Sequence, residues 1–285
     1  MAGKLTDFVK STVQTLRGES ENPAYPVTAI THVTPTVCRL LGIKEPKQCA
    51  TAPAREVLQF FGEKKPDRVL LYNPDAVAWW LWEKYPELLA EAAAAADCIL
   101  PLRSVMPSVT PVCFASMYTG AMPKVHGIQT YTKPVLKTET LFDACLKAGL
   151  KPAIVSTEGD SISKIFLKRD MDYYIYPTTQ EVMAAAHKLI AEDAYDLITV
   201  YDATYDSTMH KYGPEAPESL AVLRQNAERY AALRHSVQKY WIGHTALIGF
   251  CPDHGCHEID GGCGSHGLDQ AEDMIVCHMY AAIAA

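Results

Sequence analysis

Three apolar runs in this chain of 285 residues lead directly into carboxylates or imidazoles. Arg68-Val-Leu-Leu-Tyr72 runs on to Asp75, Leu197-Ile-Thr-Val-Tyr201 to Asp202 and Asp206, and Thr245-Ala-Leu-Ile-Gly-Phe250 to Asp253-His254. Side chains of these types gathered in one place repel unless protons or metal ions intervene. A mixture of carboxylate and imidazole suits Zn²⁺ and also Mn²⁺. Asp206-Ser-Thr-Met-His210 sets a carboxylate and an imidazole four positions apart, which on a helical turn face the same way and can share one ion. Asp202 competes for that role but is less well spaced from His210. Asp253 and His254 are adjacent, so in an extended loop they diverge and can serve two neighbours. Gly255 and the glycines of Gly261-Gly262-Cys-Gly264-Ser-His266-Gly267 let the backbone fold tightly and return His266 to the same place. Cys256, His257 and Cys263 with His266 form a looser grouping, without the paired C-x₂-C spacing of a structural zinc site.

A hydroxyl stands out in Pro107-Ser-Val-Thr110-Pro-Val-Cys113-Phe-Ala-Ser-Met-Tyr-Thr119-Gly120. Thr110 before Pro111 reads as a turn, followed by a helix from about Val112 to Tyr118 that stops at Gly120. A hydroxyl at a helix N-terminus sees the positive end of the dipole, which favours an alkoxide and an anionic substrate. Taken alone, Thr110 reads as a helix N-cap.

The elements that must position these residues follow one grammar. Besides the three runs, Pro152–Ser156 and Tyr173–Tyr176 read as strands. Ala76–Ala96, Thr138–Ala148, Gln180–Asp193 and Glu215–Trp241 read as helices, with Trp79, Trp80 and Trp82 on a buried face. Strands alternating with helices imply an α/β domain whose central, mostly parallel sheet is covered on both faces. Ligands of such sheets bind beyond the carboxyl ends of the strands, where Asp75, Asp202/Asp206 and Asp253/His254 fall. Residues 1–65 read as helices and loops, and Val37–Ile43 as a short helix stopping at Gly42. The reading is one domain spanning 1–285.

Composition narrows the function. A formal net charge of -7 disfavours a nucleic-acid polymer as partner, because phosphate backbones need a basic face. The N-terminal stretch lacks the apolar core of a signal peptide, and no apolar run reaches the ~18 residues of a membrane helix. Nine cysteines, an odd number without paired spacing, argue against a disulfide framework. The expectation is a reduced, cytoplasmic protein acting on a small phosphorylated substrate, with no membrane partner; a homo-oligomer is left open.

The order of these motifs resembles the alkaline phosphatase superfamily, most closely its nucleotide pyrophosphatase/phosphodiesterase branch. The matching residues are Asp75, Pro107-Ser-Val-Thr110, Thr119-Gly120, Pro123-Lys-Val-His126-Gly127-Ile128, Asp206-Ser-Thr-Met-His210-Lys-Tyr-Gly213-Pro214, Asp253-His254-Gly255 and His266-Gly267. The resemblance implies a three-layer sandwich and a metal-dependent hydrolase of phosphomonoesters or phosphodiesters, with Thr110 as nucleophile and a phospho-threonine intermediate. It implies two divalent ions, Zn²⁺ or Mn²⁺. One would be held by Asp206, His210 and His266, the other by Asp75, Thr110, Asp253 and His254. Cys113 is assigned to the substrate-binding position where the branch commonly carries an Asn that holds the phosphoryl group. Ala76 follows Asp75 where the family usually has Gly. The short interval between His254 and His266 is similar to that of phosphoethanolamine transferases, so group transfer to an alcohol is the alternative activity. A metal-binding relative without turnover is a third reading.

Ile30-Thr-His-Val-Thr-Pro-Thr-Val-Cys-Arg-Leu-Leu-Gly-Ile-Lys-Glu-Pro46 resembles a segment that the family carries after its last His ligand. Here it precedes the first strand, the order of a circular permutation. The permutation requires residues 30–62 to pack beside the His266 end of the chain.

Overall fold

A computed structural model describes residues 25–285; the reading of residues 1–24 as helices and loops lies outside the described residues. The sheet has seven strands in the order β2-β9-β6-β1-β5-β3-β4. These are β1 (Arg68–Pro74), β2 (Cys98–Arg103), β3 (Pro152–Thr157), β4 (Asp172–Tyr176), β5 (Leu197–Asp202), β6 (Ala246–Phe250) and β9 (Ile275–Ile283), while β7 (His257–Ile259) and β8 (Cys263–Ser265) form a separate hairpin. β6, β1, β5, β3 and β4 run parallel, and β9 is antiparallel to both of its neighbours.

Successive side chains of a strand point to opposite faces. Leu70, Tyr72, Val155, Val200 and Phe250 therefore enter one apolar layer, and Val69, Leu71, Ile154 and Leu247 the other. The first layer packs under the helices Thr179–Glu192 and Pro217–Tyr240, the second under Val33–Leu41, Thr110–Thr119 and Leu141–Lys147. Burial on both faces is why the central strands are continuous apolar runs and not alternating ones.

The structure corrects the expected elements in two places. Ala76–Ala96 is not one helix but two, Trp79–Lys84 and Ala90–Ala94. Between them Pro86 lacks an amide proton and disfavours helical geometry at Tyr85. β2 and β9 were not anticipated. β2 contains Pro101, which a sheet tolerates at its edge, and β2 is one of the two edge strands.

The N-terminal segment lies against the same edge. Tyr25 donates its hydroxyl to Asp269 Oδ1 at 2.8 Å, three residues beyond His266, and Thr28 accepts from Arg103 N on β2 at 2.8 Å. The Val33–Leu41 helix packs on Thr110–Thr119, where Thr34 Oγ1 donates to the Met117 carbonyl at 2.7 Å. The Arg55–Phe61 helix lies against β2 and β9. The N-terminal segment thus packs beside the β2–β9 side of the sheet and the loop that follows His266. No helix among the described residues is long and apolar enough to cross a membrane.

Candidate active site

Strand register brings the chemistry to one sheet edge. Pro74 is level with Asp202, and Tyr72 with Phe250, so the residues that follow β1, β5 and β6 emerge side by side. Asp75 leaves β1, and its N–H donates to the Asp202 carbonyl at 2.9 Å. Beyond β5 the chain enters the helix Thr204–Tyr212, which carries Asp206 in its first turn and His210 one turn later. Asp253 and His254 follow β6, and the β7–β8 hairpin returns the chain to His266. Thr110 begins the fully buried helix Thr110–Thr119, which ends at Gly120 in a left-handed C-cap.

The turn after Asp75 is tight. Ala76 has φ 66°, a conformation that costs a residue with a Cβ about 1 kcal/mol and that glycine adopts freely. That turn brings Ala76 N–H to 3.5 Å from Asp253 Oδ1. The left-handed geometry accounts for a glycine at this position being the easier residue.

All three histidines are fixed through Nδ1. His210 Nδ1 donates to the Gly264 carbonyl at 2.9 Å, His254 Nδ1 to the Gly255 carbonyl at 2.9 Å, and His266 Nδ1 to the Ser108 carbonyl at 3.0 Å. In the neutral ring each Nε2 then carries a lone pair, the arrangement of a metal-ligating histidine. His210 Nε2 and His266 Nε2 lie 3.3 and 3.5 Å from Asp206 Oδ1, and His254 Nε2 lies 3.3 Å from Asp75 Oδ1 and 3.5 Å from Asp253 Oδ2. Thr110 Oγ1 is 3.2 Å from His254 Nε2 and donates to Asp75 Oδ2 at 3.4 Å. The rings of His254 and His266 stack with centroids 4.0 Å apart.

A buried carboxylate oxygen without a donor is costly. Asp75 Oδ1, Asp206 Oδ1 and Asp253 Oδ2 are all buried without a hydrogen-bond donor. These three oxygens and the three Nε2 lone pairs fit divalent cations. Two overlapping sets, Asp206/His210/His266 and Asp75/Asp206/His254, bring their ligand atoms within 4.8 Å of one another.

Without cations the charges are strained. Burial, and then the charge of Asp206, pushes Asp75 up to about 6, and burial followed by Asp75 drives Asp253 well above the carboxylate range. Burial also opposes ionisation of Asp206, but the His210 imidazole 3.3 Å away and the other nearby imidazoles outweigh it and hold Asp206 below its ordinary value. The Asp206 carboxylate beside it lifts His210 to about 9, whereas burial and then His254 press His266 down to about 3.

Other residues singled out in the sequence are placed as follows. Asp202 is committed to the scaffold: Oδ2 accepts from Tyr72 at 2.6 Å and Arg229 at 2.7 Å, and Oδ1 from Thr204. Cys113 is fully buried one turn beyond Thr110, with Sγ 3.2 Å from Ser104 Oγ and 3.9 Å from the Val105 and Pro107 carbonyls. His126 bonds Ser116 Oγ and the Ile128 amide. The looser cysteine–histidine grouping is dispersed: His257 bonds Asp273, Cys256 lies by Tyr205, and Cys263 by the Lys211 carbonyl.

Three site residues were not identified from sequence. Tyr201 donates its hydroxyl to Asp75 Oδ2, Ser104 Oγ donates to the Asp253 carbonyl at 2.6 Å, and Asp273 is buried behind the histidine loops. Only Tyr201 left a trace, as a polar-tipped side chain ending an apolar run.

No family model matches the chain. Human ectonucleotide pyrophosphatase/phosphodiesterase family member 7 is 34% identical over 89 residues, 31% of this chain and 18% of that protein. Its mouse counterpart is 27% identical over 93 residues, 33% of this chain and 19% of the counterpart. Murine ectonucleotide pyrophosphatase/phosphodiesterase 5, solved in an inactive form with AMP, superposes with a TM-score of 0.56 at 16% identity, covering 68% of this chain and 59% of that one. Phosphonoacetate hydrolase from Sinorhizobium meliloti 1021, solved with phosphonoformate, superposes with a TM-score of 0.52 at 19% identity, covering 67% and 57%. The chain thus spans less than two thirds of these relatives. It resembles the nucleotide pyrophosphatase/phosphodiesterase branch of the alkaline phosphatase superfamily and shares its α/β fold.

Proposed function

We propose that the chain is a metal-dependent phosphoester hydrolase that works through a phospho-Thr110 intermediate. The observation that carries this reading is the place of Thr110 Oγ1. It stands at a helix N-terminus within 3.4 Å of Asp75 Oδ2 and His254 Nε2, beside three buried carboxylate oxygens that have no donor.

Asp206, His210 and His266 would hold one divalent ion, and Asp75, Thr110, Asp253 and His254 the other. Two such ions supply Lewis-acid stabilisation of phosphoryl oxygens and lower the pKa of a bound hydroxyl. Thr110 is oriented by Asp75, which is itself fixed by the Tyr201 hydroxyl and by its amide bond to Asp202. The positive end of the Thr110–Thr119 helix faces the incoming anion. Thr110 Oγ gives up its proton to water and forms a bond to phosphorus as the ester oxygen departs with its organic group, which takes one proton back from water. Water then attacks the phospho-threonine, releasing phosphate or a phosphomonoester and restoring the hydroxyl. Cys113 bears on this pocket from behind, through Ser104 and the Asp253 carbonyl. The AMP of the murine relative supports nucleotide-derived esters as the first substrates to examine.

The test compares wild type and Thr110→Ala on p-nitrophenyl phosphate and bis-p-nitrophenyl phosphate, with metal content measured on the same samples. Zinc or manganese at about two ions per chain is expected, with turnover at least ~10³-fold lower in the variant. The better substrate separates monoesterase from diesterase, and product analysis with added alcohol detects group transfer. Equal activity in the two proteins, or a wild-type chain that binds no metal, would refute the assignment.

A further inference from the structure

Asp273 is fully buried, yet it belongs to none of the ligand sets. Burying a carboxylate oxygen without a donor is costly, and both oxygens of Asp273 are used. Oδ1 lies 2.7 Å from His257 Nδ1, and Oδ2 accepts from Leu268 N at 2.8 Å. His257 opens β7 and Leu268 stands two residues beyond His266, so one carboxylate ties together the start and end of the hairpin that delivers His266. The main chain of the same turn reaches other loops. The Asp273 carbonyl accepts from Gly255 N at 2.8 Å, and the Met274 carbonyl from Ser104 N at 2.7 Å. Gly255 packs so closely on this turn that a Cβ there would lie 1.9 Å from the Glu272 carbonyl oxygen.

We propose that Asp273 is a positioning residue for the metal centre, and that its side chain governs the Asp206/His210/His266 site while its main chain supports the Asp253–His254 loop. The inference rests on the metal-dependent reading above. It divides the work within one residue: both side-chain bonds stay on the segment that places His266, whereas the loop of His254 is held by backbone bonds that a side-chain substitution leaves in place. Asp273→Asn keeps the volume but offers one acceptor where two donors converge, so it frees the hairpin at one end. Groups that orient ligands from behind are worth roughly 10- to 100-fold in metal affinity.

The experiment is competition titration of the full-length chain with Zn²⁺ against a chromophoric chelator, alongside thermal unfolding. His266→Ala identifies which of the two affinities belongs to the His266 site. Asp273→Asn is expected to weaken that affinity by about 10-fold or more while leaving the other within about twofold. Two unchanged affinities, or two that weaken together in step with a loss of thermal stability, overturn the inference. A wild-type chain that binds no Zn²⁺ overturns the metal-dependent reading and this inference with it, whereas two wild-type ions with an unaltered variant overturn the inference alone. Should Asp273→Asn fail to fold, His257→Ala decides. It removes the Oδ1 partner only and should weaken the same ion selectively, by about 10-fold; no change there overturns the proposal.

Discussion

Asp206 Oδ1 stands 3.3 Å from Nε2 of His210, one helical turn away, while Nδ1 of that ring donates to the Gly264 carbonyl. Asp206 raises this imidazole to about 9, so without metal the pair holds a proton at neutral pH, and a cation between the two atoms would take that proton's place. Zinc uptake should therefore release protons at neutral pH.

The pair also makes a titration prediction. The Asp206 carboxylate raises His210 to about 9, with burial opposing. A raised imidazole pKa means that the attraction is complete below the ordinary value of ~6.5 and is lost as pH rises through about 9. In metal-free Asp206→Asn, His210 should titrate close to ~6.5 by imidazole NMR. A His210 that still titrates near 9 in the variant would show that another group raises it.

Cys113 supplies a second test. Burial drives its thiol well above the ordinary range, and Ser104 Oγ is its near neighbour. Cys113→Ala should cost about 1 kcal/mol of stability through the cavity left behind and leave KM within about twofold. A several-fold rise in KM at unchanged stability would instead put the thiol in contact with the phosphoryl group.

The legible parts of the site are those set by local chemistry. β1, β5 and β6 are short apolar runs, and a carboxylate after each is visible because polar residues break the run. Asp206 and His210 share a face at helical spacing, which needs no tertiary knowledge. Asp273 was hidden for the opposite reason. It sits beside Glu272 and near Asp269, residue types that are mostly exposed, and its partners lie on β7 and at Leu268. β2 was hidden by Pro101 and the alanines before it, and its identity as a strand depends on β9, nearly 180 residues away. Asp202 competes with Asp206 in the sequence only by following its strand directly; its real partner, Arg229, lies on a distant helix that local spacing does not reveal.

His278 on β9 links the sheet to the Asp253–His254 loop and makes the last prediction. Its ring is fully buried, with Nε2 donating to the Pro252 carbonyl at 2.7 Å and Nδ1 accepting from the Tyr280 hydroxyl at 2.8 Å. Burial presses its pKa down to about 4, with the Pro252 carbonyl pulling the other way. The unfolded chain therefore takes up a proton at His278 that the folded chain refuses, from pH ~6.5 down to about 4. Stability from this group is intact above that window and declines as pH falls, by about 3 kcal/mol at pH 4. His278→Gln offers similar hydrogen bonds but does not titrate. Denaturant unfolding at pH 7 and pH 4 should show wild type losing about 3 kcal/mol more than the variant across that interval. Equal losses would mean that His278 charges within the folded state, and that the strand beneath the Asp253–His254 loop opens to water before the protein unfolds.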